Sequence, residues 1–389
     1  MMIMVNSCRC FLIFFAFLIA PLIGLEAQGL LIGHIDITFS YSSLSSEWSA
    51  AFRHGEWDNP NAQTPLHEVS LPARDFPLGS GGDRYVQPMS GYDFTGVDEG
   101  GPLWIFSASD NGYSWPGFRS AQTAGTFRSY NPGDPRVIST PQPWMTIELV
   151  GMNYAGTSSN PQFSLWQFQG GLVQWMATSD GIDSNDIYYM KEGAHSHANI
   201  GFSSLGIYRI AFRPSAILDS TGETVVGATE LVTFAIGTKA AWVASYYAGD
   251  DLLSSAVSGD ESDSDKDGIP LLLEYAFNLN PISADFKILE EGSGTFGLPL
   301  IRSIPSGTKS VLQVEYIRRK TGTNPQINYF TEFTSNLING EWEVQATEIV
   351  TSIDEEWERV VVSDLLDTST ANQRFGRVRV EMKEKISYF

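Results

Sequence analysis

Cysteine is almost missing from this chain. Only Cys8 and Cys10 occur, both within the first 27 of 389 residues. Beyond them no disulfide can form, and no thiolate can act as nucleophile or metal ligand. A chain this long can bury a large core without such staples. Positive charge is also scarce: 24 Lys and Arg stand against 45 Asp and Glu, a formal net charge of −21. That balance excludes a nucleic-acid partner, which rewards basic patches. It suits an extracellular, salt-tolerant or cation-rich setting, and solubility alone also explains it. No long amphipathic helix can be read before residue 260. Catalytic signatures are lacking too: there is no G-x-S-x-G elbow, no H-E-x-x-H and no phosphate-binding glycine loop. Carboxylates are plentiful, yet none stand out as a glycosidase pair. The chain reads as a non-enzymatic protein.

The first residues do carry a message. Arg9 precedes an apolar run from Phe11 to Leu25, and small residues follow, with Ala27 a suitable last residue before cleavage. Residues 1–27 are expected to be a secretory signal peptide, with an uncleaved anchor as the alternative. No second apolar span follows, so the expected location is secreted or at the cell surface, with no transmembrane span in the mature chain.

From Gly33 the pattern is β. GHIDITFSY alternates, placing Ile35, Ile37 and Phe39 on one face and His34, Asp36 and Thr38 on the other. Similar runs recur in PLWIFSAS, WMTIELVGM, QFSLWQFQ, LVQWMATS, LGIYRIAFRPSA and ELVTFAIG, separated by Gly, Pro, Asn and Ser clusters. Their spacing predicts a mainly β protein, with a β-sandwich or jelly-roll-like domain over 29–247. The polar, Gly/Ser-rich stretch 248–262 reads as a linker. A short loop and helix follow over 263–281, where Pro270 suits the helix start and Asn280-Pro281 its stop. A smaller, sandwich-like β module is expected over 286–385.

The strongest local motif is Asp263-Ser-Asp265-Lys-Asp267-Gly-Ile269, completed by Glu274. It matches D-x-D-x-D-G-x5-E. Calcium takes hard oxygen ligands at this spacing: three carboxylates, the Ile269 carbonyl, and a bidentate Glu274 on the helix that follows. No entering helix precedes it, so it is half of an EF-hand. Its expected role is to stiffen a domain junction.

The histidines are the other signal. Of five, two lie in KEGAHSHANIGF at 195 and 197. A spacing of two on a strand points both rings to one side, and His34 with Asp36 repeats that arrangement. Neutral imidazoles with a carboxylate suit zinc or a similar divalent ion. Hydrogen-bonded histidines on a polar face remain the alternative. Trp104, Trp115, Trp144, Trp166 and Trp175 could form a sugar-stacking platform or belong to the core. His67 lacks the second histidine of a zinc-protease helix.

Taken in order, GHIDITFSY, EWSAAFRHGEW, GGPLWIFSASDNGYSWPGFRS, FSLWQF, EGAHSHANIGFSSLGIYRIAFRPSAIL and ELVTFAIG resemble the choice-of-anchor M domain of bacterial surface proteins, over about 32–237. H-x-H-x-N-x-x-F-x-x-x-G-x-Y-R is the most specific part, and Ile200 departs from the aromatic residue common there. The resemblance matches His34, His54, His195 and His197 to the family's histidines. It implies divalent-metal capture, with His54 or Asp36 as the fourth ligand. Partners would then be an envelope component, a metal-transport system or a glycan. Residues 260–382, with DSDKDGIPLLLEYAFNLNP, resemble a calcium-stabilised module, type 3 repeat or dockerin-like, near the C-termini of secreted bacterial proteins. Three functions follow as expectations: a metal-presenting surface protein, a carbohydrate- or matrix-binding adhesin with structural histidines, and a metal-dependent hydrolase.

Overall fold

A computed structural model describes residues 30–54, 63–73, 84–86, 90–110, 114–338, 340–345, 347–367, 370 and 373–383. The expected signal peptide lies outside them. The chain is mainly β, as its alternation predicts, and divides into two compact units. Among the described residues, no helix is long and apolar enough to cross a membrane.

The first unit runs from residue 28 to 264, with 321–326 clustered alongside. Among its described residues are three sheets. In the first, the strand order is His195–Ser196, Trp115–Ser120, His34–Ser42, Glu47–His54, Gln63–Thr64. The second is ordered Leu172–Ala177, Phe163–Phe168, Asn199–Phe202, Leu103–Phe106, Arg84–Val86. The third is built on the long antiparallel pair Gln142–Ala155 and Gly206–Ile217, with Ile187–Lys191 at one edge and Leu71–Ala73 at the other. Alternate residues of these strands meet in one core that includes Ile35, Ile37, Phe39, Phe118, Phe202 and Phe212. Burial of such side chains contributes roughly 1.5–3 kcal/mol each.

The stretch 248–262 is not a bare linker. It folds back as a 3-10 turn, Gly249–Leu253, with Leu252 buried. The Ser258 hydroxyl donates to the Asp251 carbonyl at 2.6 Å, and the Ser262 hydroxyl to the Gly259 carbonyl at 2.6 Å. The serines that suggested flexibility instead close local turns. A seven-residue helix, Thr238–Ala244, also precedes it.

The second unit spans 265–320 and 327–384, of which residues up to 383 are described. It holds the helix Leu271–Phe277, a sheet of order Leu300–Ser306, Lys309–Arg319, Trp357–Asp367, Ile349–Ser352, and a smaller one of order Glu343–Val344, Ile327–Thr334, Phe375–Met382. The helix ends at Asn278, which adopts the left-handed conformation. Arg319 lies between the rings of Tyr275 and Trp357, 4.2 and 4.3 Å from their centres.

Candidate metal centre

His34 and Asp36 lie on one face of their strand because side chains alternate. That face is not left to solvent: Asp36 is only 2% exposed. The 195–197 segment covers it, but the two are not neighbours. The strand Trp115–Ser120 lies between, parallel to His34–Ser42 with Asp36 opposite Gly117, and antiparallel to His195–Ser196 with His195 opposite Arg119. Gly117 makes the crossing possible. A Cβ there would fall 2.8–3.0 Å from three ring atoms of His197. With no side chain at 117, His197 reaches over the middle strand toward His34.

Four ligand atoms converge. His34 Nε2 is 3.1 Å from both His195 Nε2 and His197 Nε2. Asp36 Oδ1 is 2.9 Å from His195 Nε2 and 3.6 Å from His34 Nε2. One ligand atom from each of the four residues lies within 4.8 Å of all the others. Zinc–nitrogen bonds of 2.0–2.1 Å place tetrahedral ligands about 3.4 Å apart, so these spacings resemble the edges of one coordination tetrahedron.

Hydrogen bonding supports the same reading. His197 Nδ1 donates to the Pro116 carbonyl at 3.1 Å, which leaves its Nε2 lone pair facing the cluster. Asp36 Oδ1 is buried and accepts no aligned hydrogen bond, despite its short distance to His195. Arg119 Nη1 approaches the other carboxylate oxygen at 3.6 Å. Burial, aided by the charge of His195, lowers the His197 pKa to about 4. Burial lowers that of His34 as well. Burial alone would raise the Asp36 carboxyl, but His195 in hydrogen-bonding range and the nearby histidines hold it below its ordinary value. Near neutral pH His34 and His197 are therefore uncharged and Asp36 ionised, the states a metal requires.

His54 is not part of the group. It pairs across the sheet with Ile35, on the opposite face from His34, and its Nε2 meets Thr64 Oγ1 at 3.0 Å. Of the two candidates for a fourth ligand, it is Asp36 that lies with the three histidines. Trp104, Trp144, Trp166 and Trp175 are buried, so they form no exposed sugar platform. Trp115 instead packs on the His197 ring. Gly117 and Arg119 escaped sequence reasoning, and Trp115 was read there only as a sugar-stacking or core residue. Their signal was present in SWPGFRS, where alternate residues put all three on one strand face.

The second cluster is local. One carboxylate oxygen each from Asp263, Asp265 and Asp267 lies within 4.8 Å of the others. The Asp267 N–H donates to Asp265 Oδ1 at 3.2 Å, and the Ile269 N–H to Asp267 Oδ1 at 2.8 Å. Gly268 takes φ +89°, which permits the sharp turn. Glu274 is buried on the helix and does not belong to the converging group. No family model matches the chain, and no curated protein matches its sequence.

Proposed function

We propose that this protein is a secreted, non-enzymatic cell-surface protein of the choice-of-anchor M type. Its first domain holds one zinc ion through His34, Asp36, His195 and His197. The convergence of four ligand atoms at tetrahedral spacing carries this reading. Three imidazoles and one carboxylate suit zinc better than calcium or magnesium, which take oxygen ligands in larger numbers. Four protein ligands also fill a tetrahedron. Catalytic zinc keeps a position open for water, so the site suits retention or presentation of metal, not hydrolysis. The Asp263–Asp267 loop is assigned to calcium on its ligand spacing, with Glu274 and the Ile269 carbonyl as the further ligands that spacing calls for. An envelope component that exchanges metal is the fitting partner for the first site.

The test is metal content by mass spectrometry after dialysis into metal-free buffer, with wild type set against the double variant His195→Ala/His197→Ala. Near one zinc per chain, lost in the variant while circular dichroism is unchanged, is the expected result. Calcium alone in both proteins overturns the histidine site.

A further inference from the structure

A cleft of about 690 Å³ opens on the surface of the first unit, where three sheet edges meet. The strands Ile187–Lys191 and Leu172–Ala177 and the 194–199 segment contribute to its walls. Two features set it apart. None of its described lining residues is an Asp or Glu, although the chain has 45 of them. Its two cations also differ. Arg136 is fully engaged with the Asp134 carboxylate and the Gln174 and Trp175 carbonyls. Lys191 is exposed and forms no ion pair with any described residue. An ammonium with no ion-pair partner among the described residues, beside a concavity whose described lining holds no carboxylate, favours an anionic ligand on a protein of charge −21.

The lining narrows the ligand's chemistry. Phe168 is 64% exposed at the cleft, an open flat face of a kind that proteins usually bury. Half-buried Tyr189 packs edge-on to Trp144 and gives a second ring. The exposed polar groups are the neutral side chains of Ser109, Ser139 and Gln169. Aromatic faces with neutral donors and acceptors match a pyranose, whose C–H face is apolar and whose rim carries hydroxyls. Beneath them the floor is already set. Gln167 Nε2 donates to the His197 carbonyl at 2.7 Å, and the Trp175 indole N–H to Gln167 Oε1 at 3.1 Å. Such preorganisation lowers the ordering cost of binding.

An extended peptide fits less well along Leu172–Ala177. It would need an open strand edge for main-chain hydrogen bonds. On Leu172–Ala177, Arg136 caps the carbonyls of Gln174 and Trp175 at 3.2 Å, and the Asp186 carboxylate accepts the Ala177 N–H at 2.8 Å. Side chains thus occupy that edge.

We infer that this cleft is a binding site for acidic, uronate-type saccharides, with a sugar ring on Phe168 and its carboxylate paired to Lys191. Titration calorimetry of the full chain with a galacturonate oligomer and its neutral galactose counterpart tests it. His195 and His197 of the proposed zinc site also line this cleft, so the titration is run on both metal-loaded and chelator-treated protein. Loss of binding on chelation that neither Lys191→Glu nor Phe168→Ala reproduces assigns the anion to the metal and overturns the lysine pairing. Calcium-free buffer is used, because calcium bridges carboxylates on both molecules. The acidic oligomer is expected to bind the wild type more tightly than the neutral one. Lys191→Glu and Phe168→Ala, both at exposed positions, should each weaken it about tenfold, with circular dichroism and zinc content unchanged. Absence of binding to the wild type, or binding indifferent to both substitutions, overturns the assignment. Equal affinity for the neutral oligomer removes its acidic part, and equal competition by an oligo-glutamate peptide removes its saccharide part.

Discussion

The imidazole of His197 lies flat on the indole of Trp115, with ring centres 3.9 Å apart and planes 13° from parallel. Together with the Pro116 carbonyl, the indole fixes the rotation of the imidazole, and so would orient it as a ligand of the proposed zinc from outside the coordination shell. Groups in that position typically change metal affinity by about 10–100-fold. Trp115→Ala is therefore expected to weaken zinc binding by that order without abolishing it, as read by competition with a chromophoric chelator. An unchanged affinity would show that Trp115 is only packing.

Gly117 offers a sharper test. An alanine methyl there collides with the His197 ring, so the ring must leave or the strand must shift. Overpacking of this kind costs about 1–3 kcal/mol. Gly117→Ala should lower the melting temperature and reduce zinc content, while calcium binding stays as it was. A variant that keeps full zinc occupancy would contradict the packing described here.

The acid response has a defined sign. His197, at about 4, and His34 both titrate below the ordinary histidine value of 6.5. Protons then compete with metal only at lower pH than for ordinary histidines, so zinc should be retained at pH 6 and released as the pH falls toward 4. For the metal-free protein, depressed imidazole pKa values mean that the unfolded chain takes up protons first. These two histidines leave its stability flat above 6.5 and lower it as the pH drops from there toward 4. Release of zinc centred above pH 6.5 would be the contrary result.

Calcium should behave as a separate variable. Asp265→Asn/Asp267→Asn removes two charges from the loop and is expected to abolish calcium binding while zinc remains. A ligand at a hundred times its dissociation constant stabilises the folded state by about 2.7 kcal/mol. Calorimetric scans with and without calcium should therefore differ in wild type and coincide in the double variant.

How far the sequence revealed this site depends on how local each feature is. The acidic loop is contiguous, so ligand spacing alone located Asp263, Asp265 and Asp267. The period of two on a strand paired His34 with Asp36 and His195 with His197. What joins the pairs is sheet register, and no alternation pattern encodes which strand inserts between two others. For the same reason His54 was misplaced: its antiparallel partner is Ile35, and the pleat turns it to the other face. The stretch 248–262 looked like a linker because serine and glycine serve flexible chain and tight turns alike. Burial of Leu252 separates the two cases, and composition does not report burial.

His34 and His197 stand 163 positions apart. A metal bound by both closes a loop of that length in a chain whose only cysteines lie among its first 27 residues. In the chain-entropy description, a covalent bridge over a loop of that size restricts the unfolded state by about 5 kcal/mol. In the proposed metal-bound state the ion would act as a reversible cross-link. A chelator would do to this protein what a reductant does to a disulfide-bonded one, and external metal supply would set how readily it resists unfolding and proteolysis.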